Sequence, residues 1–235
     1  MQLSVSDVTR LLNVSEKTVY RWIKQNKLPA YKINEQYRFS RAELLEWATS
    51  KRINVSVDIF VDKDEPGMAA CSLSSALSAG GIHYRIGGAD KAAVLKSVID
   101  VMSLPDEVDR ALLYKVLLAR EDLGSTAIGE GVAIPHVRNP IVMHITKPMV
   151  TLCFLERPIE FGALDGKPVH TLFTIVSPSI KVHLNLLSRL SYILRQPEFI
   201  RLITEQALRD VIYSFVTQFE SGLVKAGAGF SENLK

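Results

Sequence analysis

The stretch from Arg120 to His136, with the sequence REDLGSTAIGEGVAIPH, contains the residue types that a phosphoryl-accepting histidine requires. One nitrogen of the imidazole must be exposed and unprotonated to attack phosphorus, and the other must be held by an acceptor that fixes the tautomer. The phosphoryl oxygens need donors around them, because transfer depends mostly on positioning and on stabilisation of charge. Spacing alone leaves a second interpretation open, in which this is a glycine turn with a surface histidine.

Candidates for each of these roles lie within the stretch. Pro135 restricts the backbone directly before His136, and Arg120 offers a planar fork of donors that suits phosphate. Two hydroxyls and two glycines lie between them, the hydroxyls as donors and the glycines as positions where the backbone can approach closely. These supporting residues are Ser125, Thr126, Gly129 and Gly131.

A second histidine, His183, lies in the segment SPSIKVHLNLLSRL. Ser179 can cap a helix there, which places His183 near the positive end of the helix, where an anion is favoured. The leucines that follow form the apolar side of this helix. His183 could face either a phosphoryl site or the protein interior, and the sequence leaves both interpretations open.

Charge is distributed unevenly along the chain. The formal net charge is +3 over 235 residues. Residues 1–53 contain ten basic and five acidic side chains, a net charge of +5, so the remainder carries −2. A small basic segment attached to a slightly acidic body is typical of a nucleic-acid-binding domain joined to another domain. An inert basic surface would fit the charge equally well.

The first part of the chain predicts two short helices joined by a tight turn, over residues 3–14 and 16–26. Ser6 is the predicted start of the first helix, and Ser15 caps the second. This is a helix-turn-helix arrangement, in which the second helix enters the major groove of DNA. Its polar face contains Lys17, Thr18, Arg21 and Lys24.

A hairpin is predicted next, in the segment AYKINEQYRFS, with its turn at Asn34 and Glu35. Beside a recognition helix such a hairpin forms a wing. We expect Arg38 to contact a phosphate and Tyr37 to pack against the sugar backbone. Ser40 then caps a third helix over residues 41–52.

Residues 3–50 resemble the winged helix-turn-helix of the excisionase and MerR-like group. The motifs that carry this resemblance are LLNVSEKTVYRWIKQNKLPA, YRFS and AELLEW. The resemblance implies binding to double-stranded DNA, although the bases that are read cannot be deduced. Trp22 and Trp47 are expected to be core residues.

The remaining chain predicts a linker with a short strand over residues 54–70, a body over 71–222 and a flexible tail over 223–235. Helices are predicted at 73–79, 89–103, 106–122, 180–195, 197–204 and 207–219. Strands are predicted at 82–86, 132–137, 149–155 and 169–176. Helices on both sides of a buried sheet make an α/β/α sandwich, and their irregular alternation with strands predicts a mixed sheet. The fold class is therefore α/β, preceded by the small winged domain.

No sequence feature indicates secretion, a membrane span, a metal or a cofactor. The N-terminal segment MQLSVSDVTRLL lacks the pattern of a signal peptide, and the apolar runs are too short to cross a bilayer. Cys71 and Cys153 are separated by 81 residues and match no metal or redox spacing. We expect reduced thiols in a cytoplasmic protein.

Residues 72–220 resemble the enzyme IIA domain of the fructose/mannitol class of the bacterial phosphotransferase system, and most closely its nitrogen-regulatory branch. The motifs are LLAREDLGSTAIGEGVAIPH, RPIEFGALDGKPV and HLNLLSRL. The resemblance implies that His136 accepts a phosphoryl group from a phosphorylated histidine carrier protein (HPr-like), and that Arg120 and His183 stabilise it. The chain departs from the family in VRNPIVMHITKP, directly after His136. His83, His144 and His170 match no functional position.

Together the two resemblances predict a regulator of the phosphotransferase system that couples phosphorylation of His136 to DNA binding. One alternative is a IIA phosphocarrier that feeds a separate IIB/IIC sugar transporter. Another is a non-catalytic module that docks on target proteins. The sequence indicates neither the operator nor the oligomeric state.

Overall fold

The computed structural model describes residues 2–33, 35–51, 53, 72–137 and 145–231. Contacts divide the chain into two units, residues 1–66 and 67–235. The strand predicted within residues 54–70 and the polar stretch that follows it lie outside the described residues, as does most of the segment after His136. In the described part of the chain no helix is long and apolar enough to cross a membrane.

The N-terminal unit is a winged helix-turn-helix with its own core. Its helices are α1 (Val5–Leu12), α2 (Glu16–Lys24) and α3 (Arg41–Ser50). Its strands β1 (Gln2–Leu3), β2 (Tyr31–Ile33) and β3 (Gln36–Ser40) form an antiparallel sheet in the order β1-β3-β2. Apolar residues from all three helices and from β1 and β3 meet in one cluster, against which Trp22 and Trp47 pack.

The start of α1 differs from the prediction. Ser4, and not Ser6, is the N-cap: its Oγ accepts from the backbone N–H of Asp7, whose carboxylate accepts from Ser4 N at 2.9 Å. The reciprocal pair needs an acidic residue three positions after the cap, and only Ser4 has Asp7 at that spacing. Ser15 caps α2 as predicted.

The body is built on a five-stranded mixed sheet. The strands are β4 (Ile82–Ile86), β5 (Ala127–Gly129), β6 (Val132–Ala133), β7 (Met149–Ile159) and β8 (Val169–Val176), in the order β4-β7-β8-β6-β5. The pairs β4–β7 and β6–β8 are parallel, whereas β5–β6 and β7–β8 are antiparallel. This confirms the predicted mixed sheet.

Helices cover both faces of this sheet, as predicted. They are α4 (Leu73–Gly80), α5 (Lys91–Val101), α6 (Arg110–Asp122), α7 (Ile180–Ile193), α8 (Pro197–Thr204) and α9 (Arg209–Ser231). Alternate residues of β7 point to opposite faces: Cys153 packs with α5 and α6, and Phe154 packs with α4, α7, α8 and α9. Because the apolar side chains of β7 alternate between the two faces of the sheet, each face needs a layer of helices to cover it.

Three boundaries differ from the predictions. The helix predicted from residue 106 begins at Arg110, because the side chain of Asp109 caps it. The single strand predicted over 132–137 is a short hairpin, β5–β6, followed by an isolated parallel bridge between His136 and Ile175. Pro135 lacks the N–H that would continue a ladder. The last helix continues to Ser231, so residues 223–231, predicted to be a tail, are helical.

Candidate active site

His136 lies just beyond β6, is buried and is 4% exposed. Its Nδ1 is 2.7 Å from the carbonyl oxygen of Ile134. A carbonyl oxygen can only accept, so Nδ1 carries the proton and donates it to this bond. In the neutral ring, Nε2 then has the lone pair. The geometry therefore provides an unprotonated nitrogen and a fixed tautomer. The expected exposure of the attacking nitrogen is wrong for this structure, because Nε2 is buried.

His183 faces His136. The two imidazole ring centroids are 5.1 Å apart, and His183 is 3% exposed. The side chain of Ser179 caps α7, which places His183 in the second half of its first turn. The bridge between His136 and Ile175 brings His136 beside the end of β8, from which the chain enters α7. Of the two orientations that the sequence leaves open, the structure has the one that faces His136.

Arg120 and Ser125 hold the segment that leads into β5. Arg120 Nη1 donates to the carbonyl of Gly124 at 2.8 Å. The hydroxyl of Ser125 donates to the carbonyl of Phe161 and accepts from the backbone N–H of Ala127. Both side chains therefore fix the segment between α6 and β5, and Ser125 also joins it to the loop that contains Phe161.

Thr126 is buried, and its hydroxyl donates to the carboxylate of Glu121 at 2.6 Å. Its backbone carbonyl accepts from Ile134 N at 3.1 Å, which places it directly across the hairpin from the residue that holds His136. Sequence reasoning assigned the Thr126 hydroxyl to the phosphoryl group and gave Glu121 no role. Glu121 lies four and eight residues after the buried Leu117 and Leu113, on the same face of α6. This helical spacing is the signal that could have indicated a buried position for Glu121.

Gly129 and Gly131 lie at the other end of the hairpin from His136. His136 is five positions after Gly131, and extended chain spans about 3.3 Å per position, so the two are separated by roughly 16 Å. Gly131 has a φ of 71°, and a Cβ there would lie 2.3 Å from Cδ2 of His170. The structure therefore assigns these glycines to a tight turn next to His170 and does not bring them to His136.

The DNA-facing candidates of α2 lie on one surface. Lys17, Arg21 and Lys24 line an open depression of about 510 Å³, together with Tyr20 and Gln25. The sequence reasoning missed these last two, although Tyr20 has helical spacing to Lys17 and Lys24. Thr18 is half-buried and its backbone N–H donates to Ser15 Oγ in the N-cap.

The wing places Tyr37 and Arg38 on opposite faces. The Tyr37 ring contacts the ring of Tyr20 on α2, at a centroid distance of 6.0 Å. Adjacent strand residues alternate in direction, so Arg38 points away from α2, and its Nη2 donates to Gln36 Oε1. Lys32 is the cross-strand partner of Tyr37 and shares its face. The sequence analysis did not name Lys32 as a candidate for DNA contact. The alternation of side chains along the hairpin is the signal that places it on the same face as Tyr37.

Comparison with known proteins agrees with this architecture. Residues 76–219 match the family model "Phosphoenolpyruvate-dependent sugar phosphotransferase system, EIIA 2", which is more than half of the chain. The chain belongs to this EIIA family. Residues 3–52 match the model "Helix-turn-helix domain", so this EIIA protein also carries a helix-turn-helix domain.

Similar proteins come from the nitrogen-regulatory and mannitol branches. The nitrogen regulatory protein of Pseudomonas aeruginosa is 30% identical over 154 residues, which are 64% of this chain and 97% of that protein. The crystal structure of nitrogen regulatory protein IIA-Ntr from Neisseria meningitidis has a TM-score of 0.54 at 24% identity, over 61% of this chain and 98% of that chain. The complex of enzyme IIAMTL and phosphorylated enzyme IIBMTL from Escherichia coli has a TM-score of 0.50 at 18% identity, over 60% and 96%. The two structures show that the EIIA body shares their fold.

Proposed function

We propose that this EIIA protein accepts a phosphoryl group on Nε2 of His136 and that the phosphorylation state controls DNA binding by the N-terminal unit. The observation that carries the proposal is the pair of buried imidazoles 5.1 Å apart, one with its Nδ1 hydrogen-bonded to a carbonyl. A histidine that served only to stabilise the fold would need the hydrogen bond from Nδ1 but would not need a second imidazole beside its ring.

The transfer begins with the lone pair of Nε2 attacking the phosphorus of a phosphohistidine on a carrier protein. The new N–P bond forms as the N–P bond of the carrier breaks, and the carrier imidazole leaves with the electron pair. His183, in its protonated form, can donate to a phosphoryl oxygen, and the N-terminal end of α7 favours the anion. Arg120 adds positive charge at the end of α6.

Exposed apolar side chains supply a docking surface for the carrier. Leu123 follows α6, Leu164 lies in the loop after Phe161, and Ile180 begins α7. The Ser125–Phe161 hydrogen bond joins the segments that hold the two leucines. Apolar patches with a polar rim are typical of protein-interaction sites. A histidine carrier protein and a IIB domain are the partners that we propose for it.

Phosphorylation is tested with phosphoenolpyruvate, enzyme I and a histidine carrier protein. We expect acid-labile phosphate on wild-type protein and on His170→Ala, a control that removes a different body histidine, and none on His136→Ala. His183→Ala should slow transfer by about 100-fold, the typical loss when one stabilising donor is removed. Absence of phosphate on the wild type, or equal labelling of His136→Ala, would refute the acceptor assignment.

Coupling is tested by measuring duplex DNA binding before and after phosphorylation. The phosphoryl group adds roughly −1.5 to −2 charges at pH 7, so we expect the DNA affinity to change in the wild type and to stay constant in His136→Ala. An unchanged affinity after complete phosphorylation of the wild type would contradict the coupling. It would leave the acceptor role intact.

The DNA surface is tested by single alanine variants. Arg21→Ala and Lys24→Ala should weaken binding, and Lys32→Ala should weaken it more than Arg38→Ala, because Lys32 shares the α2 face. Each phosphate contact that is lost should lower the dependence of the binding constant on salt by roughly one counterion. Wild-type affinity in all four variants would exclude this surface.

A second function is favoured by the description of the matched family, a sugar phosphotransferase component. In that function phospho-His136 passes its phosphoryl group to the cysteine of a separate IIB protein. Mixing the phosphorylated protein with IIB partners tests it, and cysteine phosphorylation at a rate comparable to loading of His136 would establish it. A third function, docking on target proteins without transfer, is indicated if His136→Ala retains all regulation.

A further inference from the structure

We propose that Glu121 is a positioning residue for the acceptor, which acts through Thr126 and Ile134 to hold the tautomer of His136. The inference rests on the proposed phosphoryl transfer to His136 and deepens it.

Both carboxylate oxygens of Glu121 accept hydrogen bonds from Thr126. Oε1 accepts from the backbone N–H of Thr126 at 2.8 Å, and Oε2 accepts from its hydroxyl at 2.6 Å. Glu121 is 3% exposed, so these bonds form away from water. Two charge-assisted bonds to one residue fix both its backbone and its side chain.

From Thr126 the hydrogen bonds continue to the acceptor. The carbonyl of Thr126 accepts from Ile134 N at 3.1 Å, and the carbonyl of Ile134 accepts from His136 Nδ1 at 2.7 Å. A displacement of Thr126 therefore displaces the carbonyl that keeps the proton on Nδ1. Because transfer requires a lone pair on Nε2, this chain of bonds links a buried carboxylate to the reactive atom.

The location of Glu121 is costly for the helix that bears it. It lies in the last turn of α6, where the helix dipole disfavours a negative charge, and it is buried. Lys91 offsets part of this cost, since its Nζ is 3.6 Å from Oε1 and also lies 5.0 Å from the ring centroid of Phe161. Lys91 thus contacts both Glu121 and Phe161, and the carbonyl of Phe161 accepts from the hydroxyl of Ser125.

The decisive variant is Glu121→Gln, which has nearly the same shape. Its amide oxygen can accept from one donor of Thr126, but its NH₂ group cannot accept from the other, and the attraction to Lys91 is lost. In ¹⁵N NMR of the unphosphorylated protein we expect the His136 ring to shift toward the tautomer protonated on Nε2. The single-turnover rate at saturating carrier should fall about 10- to 100-fold, as for other misplaced reacting groups, with the KM for the carrier unchanged.

Glu220→Gln is the matched control. Glu220 is another buried carboxylate, 6% exposed, and it accepts from the backbone N–H groups of Leu73 and Ser74 and from Arg189. The bonds described for it do not lead to His136. This variant should lower the urea midpoint of the body but leave the His136 tautomer and the transfer rate unchanged.

A second variant, Thr126→Val, removes only the hydroxyl bond and keeps the backbone N–H. It should shift the tautomer in the same direction, and it decides the matter if Glu121→Gln does not fold. The proposal is overturned if both NMR and rate changes are no larger than in Glu220→Gln, or if only the KM changes. A wild type that takes no phosphate on His136 would refute the proposed function, whereas the NMR comparison would still decide the positioning role.

Discussion

Gly131 illustrates how the absence of a side chain shapes the turn of the β5–β6 hairpin, which precedes His136. Its backbone has a φ of 71°, and the ring of His170 occupies the space that a Cβ would take. Its carbonyl also accepts from the N–H groups of His170 and Thr171 on β8. The β5–β6 turn is thus held to β8 by backbone hydrogen bonds and by the ring of His170, which packs against Gly131.

Gly131→Ala should destabilise the body more than Gly166→Ala. Both glycines are left-handed, with φ of 71° and 67°, so each alanine costs about 1–2 kcal/mol of backbone strain. Of these two positions, only Gly131 has a neighbour that the new Cβ would meet, since none of the described residues lies within 4 Å of a Cβ at Gly166. Urea unfolding followed by circular dichroism measures both. Equal losses would show that His170 moves aside without cost.

Stability below neutral pH should depend on His170. Burial lowers the pKa of His170 below its ordinary value of 6.5, despite an opposing effect from the Glu130 backbone. The unfolded chain therefore takes up the proton first, so stability is lost as pH falls below about 6.5 and stops falling below the folded-state pKa. His170→Asn, whose amide can occupy the place of Nδ1 beside Thr171, should lack this part of the pH dependence. Parallel stability curves for both proteins between pH 7 and 5 would contradict the assignment.

At the level of elements, helix starts in both units depend on side chains three residues apart or on distant carboxylates. Ser4 and Asp7 cap α1 reciprocally, and the hydrogen bonds from Ser4 are the main reason that the pKa of Asp7 lies below its ordinary value. The start of α4 has both kinds of cap: Ser72 accepts from the N–H of Ser75, and Glu220 from α9 accepts from the N–H groups of Leu73 and Ser74. Local sequence reveals the first kind of cap, whereas the second exists only after the chain has folded.

Ser4→Ala should destabilise the N-terminal unit by about 1 kcal/mol, the usual loss for an N-cap. Tryptophan fluorescence is the suitable probe, because both tryptophans of the chain pack in this unit, with ring centroids 5.3 Å apart. Ser6→Ala is the control, since Ser6 is not the cap of α1. A larger effect from Ser6→Ala would restore the cap position that the sequence alone suggested.

At the scale of the whole molecule, the two units have cores that share no residue among those described. We expect Ser4→Ala to shift the unfolding transition seen by tryptophan fluorescence and leave unfolding of the body unchanged. Glu220→Gln should do the reverse, with the body followed through its helical circular dichroism. If each variant moved both transitions equally, the units would unfold as one cooperative system.

The sequence by itself determined the family, the two kinds of domain, the mixed sheet and most element types. These depend on local signals: apolar periods, caps, turn residues and the motif that ends in His136. Through the resemblance it also indicated His183, whose ring lies beside that of His136, and Arg120, whose role at His136 stays a prediction. Helix starts were less well predicted where several serines or acidic residues compete for the cap, as at Ser4 and Asp109.

Only the tertiary structure decided which face each side chain uses. His183 meets His136 because a parallel bridge brings separate segments together. Gly131 lies far from His136 because the hairpin is extended, although the two are close in sequence. Glu121 reaches Thr126 only once α6 packs beside β5. Hydrogen bonds between such segments depend on angles and distances that the order of residues does not specify.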